Sequence, residues 1–169
     1  MATENLWRPD PDAVVGPESS AAMPALKFAN LRILHMEKGR ADLVIDPILP
    51  EHRGGSTSEA VNGALIAYLL DVVMGAACES LYLGAPRLKH RTATTNLTVN
   101  YVAPVYGNVC RAEAEVLGGG RSVLHTRADV KDENDDVCVY GTGTYRIWPG
   151  GPMVHPLPGP PRREFRPMA

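Results

Sequence analysis

One apolar segment, residues 64–78, limits the folds that this chain can adopt. Its sequence is ALIAYLLDVVMGAAC, and Asp71 is its only charged residue. The pattern predicts a helix that is apolar on nearly every face and is therefore buried in the core. A carboxylate inside such a helix is costly unless another group pairs with it or uses it, so Asp71 is a candidate functional residue. The alternative is a structural carboxylate that a neighbouring hydroxyl or amide satisfies.

The composition is typical of a soluble globular protein. The 169 residues are 44% hydrophobic and 21% charged, which suits one domain with a sizeable core. With a net charge of −2, the protein has no strong electrostatic attraction to nucleic acid or to an anionic membrane. The apolar segment is too short to span a membrane, and the first residues lack the apolar stretch of a signal peptide. We therefore expect a cytoplasmic protein with no nucleic-acid or membrane partner.

The three cysteines, Cys78, Cys110 and Cys138, lie far apart in the sequence. An odd number at this spacing favours reduced structural thiols over a disulfide framework. No group of His, Cys and Asp has the spacing of metal ligands, so we expect no metal site.

Both ends of the chain lack the periodicity of regular structure. Residues 1–22 mix Pro, Asp, Ser and Glu, and residues 149–169 contain seven prolines. Proline at this density cannot continue a helix or a central strand. The sequence therefore predicts an N-terminal extension at 1–22, a folded domain at 23–148 and a proline-rich tail at 149–169.

Between these ends the pattern predicts two strands, one long helix and four more strands. The first two strands, at 31–35 and 40–45, flank a short turn and should form a hairpin. The helix is expected at roughly 60–82. Alternating strands follow at 92–102, 108–117, 122–130 and 137–147, which indicates an antiparallel meander with one buried face.

The apolar helix decides how these strands are arranged. A helix lying on a sheet keeps a polar outer face, so a helix that is apolar all round requires a sheet that wraps around it. The predicted fold is therefore α+β of the hotdog type, an antiparallel sheet wrapped around one long central helix.

Four short motifs occur in a characteristic order: VNGALIAYLLDVVMGAA from Val61, TTNLTVNYVAP from Thr94, GGRS from Gly119 and GTGTY from Gly141. Together they resemble the hotdog-fold acyl-CoA thioesterase superfamily, of the phenylacetyl-CoA and 4-hydroxybenzoyl-CoA thioesterase type, over about residues 28–147. The His-Gly-Gly of that family is Asn62, Gly63 and Ala64 here.

The resemblance implies hydrolysis of an acyl-CoA, or an acyl-carrier thioester, to free acid and thiol. Asp71 takes the position of the catalytic carboxylate, as general base or nucleophile. Gly63 takes the position of the backbone N–H that holds the thioester oxygen, and Asn62 keeps a side-chain donor in place of the histidine. Coenzyme A is then part of the substrate, and no separate cofactor is expected.

Five further residues are candidate contacts to the substrate or its coenzyme A: Ala64, Thr92, Thr94, Arg91 and Arg121. The two threonines begin the strand expected near the carboxylate, and the two arginines could contact the phosphates of coenzyme A. Each pair has a structural alternative, which is β-propensity for the threonines and a solvated loop or turn for the arginines.

The spacing along the helix predicts self-association. Gly63 and Asp71 are about 12 Å apart along the axis, so one helix cannot bring both to the same carbonyl carbon. If both act, each site combines Asp71 of one subunit with the helix N-terminus of another, and a two-fold dimer forms two such sites. The resemblance implies the same arrangement, as a dimer or a dimer of dimers.

Two other functions remain open. One is a non-catalytic acyl-CoA binding or sensor module, because a fold does not fix a function. The other is a hotdog dehydratase or hydratase, which usually needs a His that works with an acid. No His occurs in the predicted helix or at its start. His52, in the loop before it, could line the site, but a lone histidine in a loop is usually solvated, and that is the expectation here.

Overall fold

The computed structural model describes residues 24–54, 58–82, 90–120 and 122–149. Its elements are α1 (Pro24–Phe28), β1 (Leu31–Glu37), β2 (Arg40–Ile45), a 3-10 turn (Pro50–His52), α2 (Gly63–Ser80), β3 (His90–Tyr101), β4 (Cys110–Gly119), β5 (Val123–Lys131) and β6 (Val137–Pro149). The extension at 1–22 and the tail beyond residue 149 lie outside the described residues. The predicted fold class is confirmed, since one antiparallel sheet curves around one long helix.

The hairpin of β1 and β2 closes through a two-residue turn. Lys38 and Gly39 both have positive φ, 45° and 83°, and Glu37 pairs with Arg40. This turn matches the right-handed twist of the strands, and glycine accepts positive φ without strain. The Gly39 N–H also donates to Ser80 Oγ at 2.7 Å, which fixes the hairpin to the C-terminal end of α2.

The six strands lie in the order β1-β2-β4-β5-β6-β3, and all neighbours are antiparallel. The expected meander of the last four strands is therefore wrong for β3. That strand pairs with β6, as in Leu97 with Gly143, and forms an edge of the sheet. The alternating pattern identifies each strand, but it does not specify which strand lies beside it, and at 92–101 of β3 no residue is buried.

α2 packs into the concave face of the sheet. Its eight buried residues are Ile66, Leu69, Leu70, Val73, Met74, Ala77, Cys78 and Ser80. Each fully buried aliphatic side chain contributes about 1.5–3 kcal/mol to stability. An opposite stripe of the helix is only partly covered: Leu65, Tyr68, Val72 and Ala76. By length and composition alone α2 could cross a membrane, but a core helix meets the same criteria, and half of α2 is buried here.

Two glycines of β6 let the helix lie close to the sheet. A Cβ added to Gly143 would lie 2.7 Å from the Tyr145 ring and 3.3 Å from Met74 Sδ. A Cβ added to Gly141 would lie 2.8 Å from the Thr98 carbonyl oxygen. Side chains at these positions would crowd the neighbouring strands as well as α2, so the glycines let β6 pack closely against both.

Candidate active site

Asp71 lies in the third turn of α2 and is held by two hydroxyl groups. Thr94 Oγ1 of β3 donates to Asp71 Oδ1 at 2.6 Å, and Tyr145 Oη of β6 donates to the same oxygen at 2.9 Å. The described residues place no donor on Asp71 Oδ2. One carboxylate oxygen is therefore fixed in position, while the other is left to accept a proton from a substrate or a water.

Tyr145 is a site residue that the sequence analysis missed. It is 2% exposed, and its hydroxyl also donates to the Asp71 carbonyl oxygen at 2.9 Å. Burial, and then the adjacent Asp71 carboxylate, raise the pKa of Tyr145, so that its hydroxyl remains a donor. A buried tyrosine needs a hydrogen-bond partner for its hydroxyl, so a tyrosine in a predicted core strand could have been selected as a candidate residue from the sequence. The sequence alone did not identify Asp71 as that partner.

The two threonines of β3 hold two different carboxylates. Thr94 contacts Asp71, whereas Thr92 Oγ1 donates to Glu79 Oε1 at 2.8 Å. The pairing of β3 with β6 is irregular between Thr94 and Asn96, and an irregularity of this kind can redirect a side chain beside a site. Both threonines thus have partners beyond ordinary strand preference, and Glu79 is a second acidic residue that the sequence analysis did not select.

These groups line a cavity of about 440 Å³ between α2, β3 and the β1–β2 hairpin. Its polar lining is Asp71, Glu79, Thr92, Thr94 and Tyr145, and its apolar lining is Leu26, Ile33, Met36, Leu43, Val72, Gly75, Ala76 and Ala93. The size and the apolar walls with few polar groups are those of a small-molecule site.

The N-terminus of α2 carries the other candidate residues. Asn62 caps the helix, with its Oδ1 accepting from the Ala64 N–H at 2.8 Å. The Gly63 N–H has no acceptor among the described residues, while the Gly63 carbonyl accepts from Tyr101 Oη at 2.7 Å. The cap uses the oxygen of Asn62 and leaves its NH₂ group as a donor beside the Gly63 N–H.

A second cavity of about 330 Å³ adjoins this helix end. It is lined by Phe28, Glu51, His52, Asn62, Ala64, Leu65 and Tyr68. The expectation that His52 is solvated is wrong, because the 3-10 turn buries it to 5% exposure. Its Nδ1 accepts from the Leu49 N–H at 3.1 Å, and its carbonyl accepts from the Asn62 N–H at 2.8 Å. A histidine therefore does lie at the start of α2, ten residues earlier in the chain but adjacent in space.

The two groups of candidate residues do not meet within one chain. Asp71, Thr92 and Thr94 line the first cavity, and Asn62 and Ala64 line the second. Arg91 lies at the start of β3, where the structure describes only its backbone, and Arg121 lies outside the described residues. Within the described part of the chain, no three or more His, Cys, Asp or Glu residues are grouped to hold a metal ion.

The fold and the carboxylate cavity define a hotdog protein with an acidic site on its central helix. Residues 59–139 match the model of the thioesterase superfamily. The medium/long-chain acyl-CoA thioesterase YigI of Salmonella typhimurium is 26% identical over 138 residues, 74% of this chain and 86% of that protein. The resemblance to the hotdog thioesterase superfamily is therefore confirmed.

Solved structures agree on the fold. A conserved protein of Pseudomonas aeruginosa is similar with a TM-score of 0.67 and 25% identity, over 77% of this chain and 98% of that one. A thioesterase of Haemophilus influenzae has a TM-score of 0.69 and 14% identity, over 85% of this chain and 95% of that one.

Proposed function

We propose that this protein hydrolyses acyl-CoA thioesters and that Asp71 is the general base. The observation that supports this most directly is the tethering of Asp71 in an apolar cavity. Thr94 and Tyr145 hold its Oδ1, and no described residue donates to its Oδ2. A carboxylate fixed in this way is oriented toward whatever enters the cavity, and orientation is a large part of catalysis by a positioned base.

The reaction requires one water. Asp71 Oδ2 takes a proton from the water, and the oxygen of the water bonds to the thioester carbon at the same time. The electrons of the carbonyl π bond move onto the carbonyl oxygen. The Gly63 N–H and the Asn62 NH₂ of a second subunit stabilise that negative charge. When the intermediate collapses, the carbon–sulfur bond breaks, the acid leaves, and the thiolate takes the proton back from Asp71.

A homodimer is part of this proposal. The carboxylate cavity and the helix N-terminus open at different places on one chain, and about 12 Å of helix separates Gly63 from Asp71. The partly covered stripe on α2 offers an apolar surface that a second subunit can bury. We call the Asp71 cavity and the N-terminus of α2 the two half-sites. In a two-fold dimer each half-site of one subunit faces the other half-site of its partner, so two complete sites form.

The first test is release of free thiol from a panel of acyl-CoAs of increasing length, with wild type and Asp71→Asn. We expect the wild-type protein to hydrolyse acyl-CoA. The turnover rate of Asp71→Asn should be lower by at least about 100-fold, since Asn keeps the shape of the side chain but cannot take a proton. The variant should remain folded and bind acyl-CoA. A folded Asp71→Asn protein with wild-type turnover would contradict the mechanism. Single turnover in H₂¹⁸O tests for a nucleophile: label on Asp71 would show an anhydride that water opens at the Asp71 carbonyl, whereas a general base leaves Asp71 unlabelled and puts the label only in the product acid.

A dehydratase is a second candidate, and the position of His52 supports it. Its Nδ1 accepts a backbone hydrogen bond, so a neutral imidazole carries its proton on Nε2, and its ring borders the cavity at the start of α2. A histidine on one subunit and an acid on another could add water across an enoyl thioester. Hydration of a short enoyl-CoA without thiol release would favour this reaction. Binding without either reaction would favour a sensor module.

A further inference from the structure

We propose that Glu79 makes the enzyme select acyl chains that carry a hydrogen-bond donor at their far end. The inference rests on the proposed function, because it takes the first cavity as the acyl site. It adds a substrate class, namely acyl groups with a distal hydroxyl or ammonium group, such as ω-hydroxyacyl or ω-aminoacyl thioesters.

The cavity extends along α2 from Asp71 to Glu79. Its helical lining contains Asp71, Val72, Gly75, Ala76 and Glu79, which span two turns and about 12 Å of helix axis. A thioester carbon placed at Asp71 would direct an extended acyl chain toward Glu79. Asp71 therefore lies at the end of the cavity where the thioester would react, and Glu79 lies at the opposite end of the same cavity.

Small residues keep the space between the two carboxylates open. Gly75 and Ala76 lie on the helix between Asp71 and Glu79. A Cβ added to Gly75 would lie 3.6 Å from Tyr145 Cε1, an ordinary contact, so a larger side chain here would extend into the cavity rather than break the core. The room for a chain thus depends on residues with little or no side chain.

Glu79 has unused capacity to accept hydrogen bonds. Thr92 Oγ1 donates to its Oε1 at 2.8 Å, and no cation among the described residues forms an ion pair with it. A carboxylate can accept about four hydrogen bonds, so further donors can be accommodated. Thr92 fixes the orientation of the group, as Thr94 does for Asp71.

The walls make this carboxylate selective. The cavity is lined by Leu26, Ile33, Met36 and Leu43, which offer no hydrogen bonds from their side chains. A chain ending in a methyl group would displace water from Glu79 and leave Thr92 as its one described side-chain donor, whereas a hydroxyl or ammonium group would replace that water. Glu79 is partly buried, so the loss of its remaining hydrogen bonds should cost about 10-fold in binding.

The experiment compares acyl-CoAs of equal length with a methyl, hydroxyl or amino end, and measures kcat/KM and binding by calorimetry. Wild type should favour the donor-ended chains by about 10-fold or more once they are long enough to reach Glu79. Glu79→Leu should lose or reverse the preference. Glu79→Gln keeps an acceptor without charge, so it should retain a preference for hydroxyl but lose that for ammonium.

Two control variants make the result specific. Glu37→Leu removes a carboxylate from the outer face of the sheet, beside His35, and should leave the preference unchanged. Gly75→Leu should fill the cavity and reduce rates for long chains but not for the shortest one.

Equal kcat/KM for all three chain ends in wild type, with normal turnover, would overturn the role of Glu79 and leave the thioesterase proposal intact. If no acyl-CoA is hydrolysed, the proposed function fails instead, and the binding preference alone then decides the role of Glu79. Equal affinities in that case would refute it.

Discussion

At the scale of single residues, the candidate site contains two carboxylates, each held by a threonine from β3. Asp71 differs from Glu79 in having a second donor, the buried hydroxyl of Tyr145. A tyrosine in this position does not touch the reacting atoms in the proposed mechanism. It is a positioning residue, because it fixes Asp71 Oδ1 and so determines where Oδ2 points.

Tyr145→Phe tests this positioning role. The ring remains in the core, so stability should change little, while kcat should fall by roughly 10-fold because one tether of Asp71, the proposed general base, is lost. Thr94→Val, which removes the other tether of Asp71 Oδ1, should lower kcat as well. If Tyr145→Phe alters only the melting temperature, the residue is structural.

The cysteines give a prediction about pH and stability. Burial raises the pKa of Cys78 and of Cys110 from the ordinary value of 9.0 to about 12. Between these values the unfolded chain loses protons that the folded chain keeps. The stabilisation from the buried thiols is therefore full below pH 9 and is lost as the pH rises toward 12. Denaturant unfolding at a series of pH values measures this decline.

Cys110→Ala is the matched variant for that experiment. It should unfold with a shallower dependence on pH above 9, because one of the shifted groups is gone. The thiols of the folded wild type should also resist alkylation at pH 8, since only the thiolate reacts. Rapid alkylation of the native protein would show that the thiols are not protected in solution.

Sequence reasoning at this scale selected Asp71 and Thr94, which are hydrogen-bonded in the structure. It did not select Tyr145 or Glu79, and it did not predict the burial of His52. Asp71 is conspicuous because it is the only charge in an apolar segment. Tyr145 and Glu79 have ordinary neighbours in the sequence, and their roles depend on which strand lies beside which. His52 appears in a glycine-rich loop, and only the 3-10 turn places it against the start of α2.

At the scale of elements, the predicted boundaries agree with the structure to within a few residues. The helix expected at 60–82 spans 63–80, and each predicted strand exists. Periodicity and turn residues are local signals, so they locate elements well. The partner of β3 is a long-range feature, because β3 pairs with β6 and not with β4, the strand that follows it in the sequence. No local pattern contains that information.

The start of α2 gives a prediction with a matched pair of variants. Asn62 caps the helix with its oxygen and can donate with its NH₂ group. Asn62→Ala removes both functions, so stability should fall by about 1 kcal/mol and the rate should fall as well. Asn62→Asp keeps the capping oxygen but removes the donor, so stability should be retained while the rate falls.

Denaturant unfolding and steady-state kinetics on both Asn62 variants separate the two roles. Both should lose less activity than Asp71→Asn, because the Gly63 N–H is unchanged. Full activity in Asn62→Asp would limit Asn62 to capping the helix.

At the scale of the whole molecule, assembly is the central prediction. We expect a homodimer or a dimer of dimers at working concentration, because a single chain separates Asp71 from the N-terminus of its own helix. Light scattering or small-angle scattering, run alongside the activity assay, measures this. An active monomer would rule out a shared site.

The separation of the two half-sites also has a consequence for mixtures of defective proteins. In the proposed dimer, Asp71→Asn disables one half of each site, and Gly63→Val, whose side chain would stand beside the proposed oxyanion N–H, disables the other half. If both variants fold, a dimer with one subunit of each kind contains one site with both defects and one site with none. When equal amounts of the two inactive proteins are refolded together, half of the dimers should contain one subunit of each kind. The mixture should therefore recover about a quarter of wild-type activity, although the homodimer of each variant is inactive.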